Sequence, residues 1–100
     1  MEDKIEQKHE IKIEIDEQTA QGVYSNLAMI GHTESEFILD FIFVQPQAGK
    51  AKVRSRVITS PSHAKRFMFA LQENIKKYEE QFGEIKIAPQ QQDKKVGFYH

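Results

Sequence analysis

The stretch Glu36-Phe37-Ile38-Leu39-Asp40-Phe41-Ile42-Phe43-Val44 decides the reading of this chain, because it is the most hydrophobic run and carries apolar side chains on both parities. Strand alternation puts Phe37, Leu39, Phe41 and Phe43 on one face and Ile38, Asp40, Ile42 and Val44 on the other. Interrupted by Asp40, the run falls far short of the roughly 20 apolar residues needed to span a bilayer. It reads as a buried strand, not a membrane segment.

Upstream of it, Gly31-His32-Thr33-Glu34-Ser35 has the small, polar composition of a hairpin connection, and Val23 to Ile30 reads as the strand before it. That strand is mixed, with Val23, Ser25, Leu27 and Met29 on one side and Tyr24, Asn26, Ala28 and Ile30 on the other. Earlier still, Ile11, Ile13 and Ile15 alternate with Lys12, Glu14 and Asp16, the period of a half-buried strand, and Glu17 to Gly22 reads as a polar turn. Downstream, Gln45 to Lys50 breaks the pattern with Pro46 and Gly49. Ala51 to Thr59 then returns as a fourth strand, Val53, Ser55 and Val57 alternating with Arg54, Arg56 and Ile58.

The period changes at Ser60. Ser60 is a good N-cap, and Pro61 suits the first helical position because its missing amide hydrogen would be unpaired there. Ala64, Phe67, Met68, Leu71, Ile75 and Tyr78 recur at spacings of three and four, which predicts one amphipathic helix from about Pro61 to Gln81, ending at Gly83. The expected fold is α+β: a four-stranded antiparallel meander followed by one long C-terminal helix packed on one sheet face. Residues 1–9 read as a flexible charged N-terminus, 10–87 as a single α+β domain, and 88–100 as a polar, Gln-rich tail.

Composition narrows the function classes. The chain has 100 residues, 39% hydrophobic and 29% charged, which fits one folded domain and excludes wholesale disorder. Zero cysteines exclude disulfides, thiolate catalysis and Cys-ligated metal sites. A net charge of −1 selects neither a nucleic acid nor an acidic membrane. The charged start lacks the apolar core of a secretory signal, so the expected location is the cytoplasm of a bacterial-type cell.

A single helix covers one face of a sheet, yet the central strand is apolar on both. Leaving three large apolar side chains in water forgoes about 1.5–3 kcal/mol each. The expected resolution is self-association, with Ile38, Ile42 and Val44 at the interface and Tyr24, Asn26 and Asp40 giving polar register. The competing resolution is a tail folding back through Phe98 and Tyr99.

Charge is segregated along the chain. From Lys50 to Arg66 there are six cations and no acid, whereas Glu2 to Glu17 holds seven acids and three lysines. Lys50, Lys52, Arg54 and Arg56 share one parity and would form a row along one face, with Ser60, Ser62, Lys65 and Arg66 near the helix start. That row is a candidate anion or nucleic-acid site. The plainer reading is a solvated sheet edge paired with the acidic first strand. His9, His32, His63 and His100 lack metal-ligand spacing, so no metal and no cofactor is expected. Ser60 or Ser62 with His63 and Asp40 is the nearest approach to a catalytic set. The serines read better as caps, and Asp40 as a buried acceptor or interface residue. No nucleophile elbow, phosphate loop or paired-acid motif is present, so an enzyme is not expected.

Four segments, Tyr24-Ser25-Asn26, Glu36-Phe37-Ile38-Leu39-Asp40-Phe41, Arg56 to Lys65 and Tyr78 to Ile85, jointly resemble the small prokaryotic proteins of the domain of unknown function family 3467, over about Ile11 to Ile87. The resemblance implies no activity, cofactor or site residue. The meander-plus-helix layout also looks like that of SecB-type export chaperones, a likeness of architecture that does not fix function. The sequence thus points to a non-enzymatic, self-associating protein-binding module. The alternative is an anion or nucleic-acid binder at residues 50–66.

Overall fold

The structure is a computed structural model that describes residues 10–88. The chain divides into two compact units between Thr59 and Ser60. The expectations for residues 1–9 and for the tail beyond Ala88, including the fold-back of Phe98 and Tyr99, lie outside the described residues.

The first unit begins with the short helix α1 (Glu17–Gln21), followed by three strands, β1 (Leu27–His32), β2 (Phe37–Gln45) and β3 (Lys50–Thr59). They form an antiparallel sheet in the order β1-β2-β3, so the stretch that decided the reading is the central strand. Of the four expected strands, the first, at Ile11 to Ile15, is absent from the sheet. Residues 10–16 carry no regular secondary structure, and Ile11, Ile13 and Ile15 stand 88%, 93% and 66% exposed. Alternation encodes the two-sidedness of a strand and leaves its pairing partner unspecified, and here no neighbouring strand meets it.

The segment read as a polar turn is α1. Its first turn is closed by the Ala20 N–H donating to the Asp16 carbonyl (2.9 Å), and Gly22, at φ 75°, ends it in a conformation open to glycine. The Thr19 side chain hydrogen-bonds the Asp16 carboxylate and holds that carboxyl below its ordinary range. The β1–β2 connection is organised by Thr33, whose hydroxyl accepts from the Ser35 N–H (3.3 Å) and the Glu36 N–H (3.2 Å). The β2–β3 connection is one 3-10 turn (Pro46–Ala48) closed by Gly49 in the left-handed region.

One irregularity governs the sheet. From Gln45↔Lys50 to Ile42↔Val53 the two strands pair residue for residue, but the next pair is Phe41↔Ser55, which skips Arg54. Arg54 is therefore the extra residue of a β-bulge, and every β3 residue beyond it changes face. One sheet face now carries Leu27, Met29, Ile38, Asp40, Ile42, Val53, Arg56 and Ile58. The other carries Ala28, Ile30, Phe37, Leu39, Phe41, Phe43, Lys52 and Val57. Both faces are apolar along β2, as the sequence requires.

Burial is concentrated on that strand. Among the described residues the buried hydrophobics are Leu39 (8% exposed) and Ile42 (3%), and Asp40 (4%) is the buried charged group.

The second unit is built on the helix α2 (Pro61–Phe82). The Ser60 hydroxyl accepts from the His63 N–H (3.1 Å) with Pro61 at the first position, as the sequence predicts. Gly83, at φ 98°, ends the helix, its N–H donating to the Glu79 carbonyl (2.9 Å). The Glu79 carboxylate then accepts from the Ile85 N–H (3.0 Å), tying down the chain beyond the helix. Phe67, Met68, Leu71, Ile75 and Tyr78 lie along one stripe and are each 41–50% exposed, and no α2 residue is buried.

Candidate functional site

The sheet bulge sets the geometry of its one buried charge. Had β3 continued in the register of its first residues, Asp40 would lie opposite Ser55, and Arg56 would lie opposite Leu39 on the other face. Skipping Arg54 brings Arg56 opposite Asp40 instead. Its guanidinium binds the carboxylate with two parallel bonds, Nε to Oδ1 at 2.7 Å and Nη2 to Oδ2 at 2.9 Å. Such a fork-to-fork contact is among the stronger ion-pair geometries. The hydrogen bond from Arg56 holds the Asp40 carboxyl below its ordinary value, against the opposing push of burial, and raises the Arg56 guanidinium in turn. Asp40 is thus the buried acceptor that its place in the sequence suggests, and the bulge supplies its cation.

The Tyr24-Ser25-Asn26 triplet forms a structural latch. The Asn26 backbone N–H donates to the Ile42 carbonyl (3.0 Å), which begins the β1–β2 ladder. One step further out, the side chain replaces a backbone pair. The Val44 N–H donates to Asn26 Oδ1 (2.8 Å), and Asn26 Nδ2 donates to the Val44 carbonyl (3.1 Å). The Tyr24 ring packs edge-on against Phe43 at 5.9 Å. Asn26 therefore fixes register within one chain, where a side chain carrying both donor and acceptor is needed.

The six residues expected at an interface now separate. Ile42 and Asp40 are buried within the single chain and present no surface; Ile38 and Val44 are half-buried; Tyr24 is exposed, and Asn26 is held by Val44. The exposed apolar surface of the sheet lies elsewhere, at Ile30 (64%) and Val57 on one face and at Ile58 (54%) and Val53 on the other. The signal for these residues was present in the strand parities, but the bulge that assigns Val53 and Ile58 to one face left no mark in the pattern.

The expected row of four cations is corrected by the same bulge. Lys50 and Lys52 share a face with Phe43 and Gln45, Arg54 occupies the bulge, and Arg56 lies on the opposite face bound to Asp40. Ser60 is occupied as a cap, with Ser62 Oγ 3.4 Å from Ser60 Oγ, and Lys65 and Arg66 lie on the first two turns of α2. Of the histidines, His32 stacks on Phe37 at 5.3 Å and His63 donates its N–H to the Ser60 cap; His9 and His100 lie outside the described residues. Among the described residues no group of three or more His, Asp or Glu is arranged to hold a metal ion. No helix among them is long and apolar enough to cross a membrane.

The family described as Protein of unknown function (DUF3467) matches residues 1–87. The chain belongs to that family. The match spans the whole sheet, the Asn26 latch, the Asp40–Arg56 pair and α2, the elements whose residues carried the resemblance. No curated protein and no solved structure matches the chain.

Proposed function

We propose that this protein is a non-enzymatic, self-associating module that works by binding protein, beginning with further copies of itself. The observation that carries this reading is the surface inventory of the two units. The sheet exposes Ile30 and Val57 on one face and Val53 and Ile58 on the other, while α2 exposes a continuous apolar stripe from Phe67 to Tyr78. Soluble monomers seldom leave such surface in water, since contiguous apolar patches commonly mark interfaces. In the associated form a second copy covers the apolar surface that each unit exposes. The cytoplasm is the proposed location. The likeness to SecB-type chaperones is one of element order and adds no residue to the argument.

The test is sedimentation velocity on the full chain and on two variants, Ile30→Lys and Ile58→Lys, one for each sheet face. Both positions are exposed enough to accept lysine, and far-UV circular dichroism verifies the fold. Wild type is expected to sediment as a dimer or larger, and at least one variant to shift to monomer. A wild-type chain that stays monomeric at high micromolar concentration overturns the reading.

A further inference from the structure

We infer that residues 10–16 form the missing strand in an assembly, pairing along the β3 edge of a second copy. The inference rests on the self-association proposed above and specifies one of its contacts.

Three observations carry it. First, the segment Glu10-Ile11-Lys12-Ile13-Glu14-Ile15-Asp16 has strict strand alternation, yet it joins no sheet, and its three isoleucines are 66–93% exposed. Such a segment is amphipathic only when extended and paired. Second, among the described residues β3 is an edge strand of ten residues, with no strand paired along its outer side. Third, the charges match. The segment and the following Glu17 carry four acids and one lysine, and β3 carries no acid and, besides the Asp40-bound Arg56, the three cations Lys50, Lys52 and Arg54.

The other sheet edge is a poorer partner. β1 consists of Leu27-Ala28-Met29-Ile30-Gly31-His32, without a lysine or arginine to select an acidic strand. The cations of β3 also set specificity. Two β3 edges brought together would set cation-rich strands with Lys50, Lys52 and Arg54 side by side, so that edge disfavours itself while accepting an acidic strand. The faces agree as well. In antiparallel register with Asp16 and Glu14 beside Lys50 and Lys52, Ile15 and Ile13 fall beside Ala51 and Val53 and extend the apolar surface of that face. A two-fold exchange makes the contact twice, each copy giving its segment and receiving the other's.

Charge reversal in the full chain tests this. Glu10→Lys/Glu14→Lys makes the segment basic, and Lys52→Glu/Arg54→Glu makes the edge acidic; none of these side chains is buried, and circular dichroism reports whether each variant folds. Each double variant alone is expected to self-associate at least roughly tenfold more weakly than wild type. Mixing the two pairs a basic segment with an acidic edge in one direction, and the two unaltered elements in the other, so a heterodimer is expected to form. A chain carrying all four reversals restores the pairing within one species and is expected to associate near the wild-type level. If the double variants associate as wild type does, the strand assignment is overturned and the apolar self-association stands. If they weaken but mixing restores nothing, the segment pairs within its own chain and the exchange is overturned. A monomeric wild type overturns both readings together.

Discussion

Replacing Asn26 with alanine removes two hydrogen bonds that no backbone group can replace. The Val44 N–H loses its acceptor at 2.8 Å and the Val44 carbonyl its donor at 3.1 Å. A typical hydrogen bond contributes about 0.5–1.5 kcal/mol net, so two give about 1–3 kcal/mol. Val44 is half-buried at the end of the ladder, where water reaches the orphaned groups, which favours the lower half of that range, about 1–2 kcal/mol. For a domain of this size the shift in Tm is about 4–16 °C. Urea unfolding followed by circular dichroism, run at two protein concentrations, separates this loss from dissociation. Amide exchange of Val44 localises it, since that N–H should lose protection selectively. Asn26→Asp retains the acceptor but sets a carboxylate oxygen against the Val44 carbonyl, so it should also destabilise, and recover part of the loss in acid, where the protonated carboxyl can donate. An Asn26→Ala chain as stable as wild type, with Val44 still protected, would refute the latch.

Three further outcomes follow from the same coordinates. Arg56→Ala leaves the buried Asp40 carboxylate without its forked partner and should cost more stability than Asp40→Asn, measured by urea unfolding at neutral pH. Because the folded pKa of Asp40 lies below its ordinary 3.8, its contribution is complete above that value and is lost as pH falls through the lowered pKa; in Arg56→Ala this loss should begin at higher pH, as a carboxyl NMR titration would report. Ile42→Ala removes the most buried apolar side chain among the described residues, for a loss of about 2–5 kcal/mol at the centre of the sheet. Ser60→Ala frees the His63 N–H and should cost about 0.5–2 kcal/mol, with faster amide exchange confined to the first turn of α2.

What could be read without coordinates follows the strength of local rules. The helix was legible to within a residue, because Ser60, Pro61 and Gly83 act on their own backbone and need no distant partner. The central strand was legible from its two apolar parities. Ile11 to Ile15 joins no sheet among the described residues because alternation describes a strand whether or not it has a neighbour, and the Asp16 turn of α1 is too short to show a helical period. The strand read from Val23 begins instead at Leu27, where backbone pairing with β2 takes over from the Asn26 side chain. At the candidate site, Asp40 was recognisable as a buried acceptor, but its partner was not. Counting outward from the Gly49 turn puts Ser55 opposite it, and only the one-residue bulge at Arg54 substitutes Arg56. That same residue dispersed the row of cations, so a single insertion in register decided two site assignments.

Light scattering on the unmodified full chain, from low to high micromolar concentration, bears most directly on the claim that another copy covers this two-faced sheet. The account requires a molar mass of at least two chains that falls on dilution or on Ile58→Lys. A mass of one chain at every concentration, with the fold intact, would contradict it.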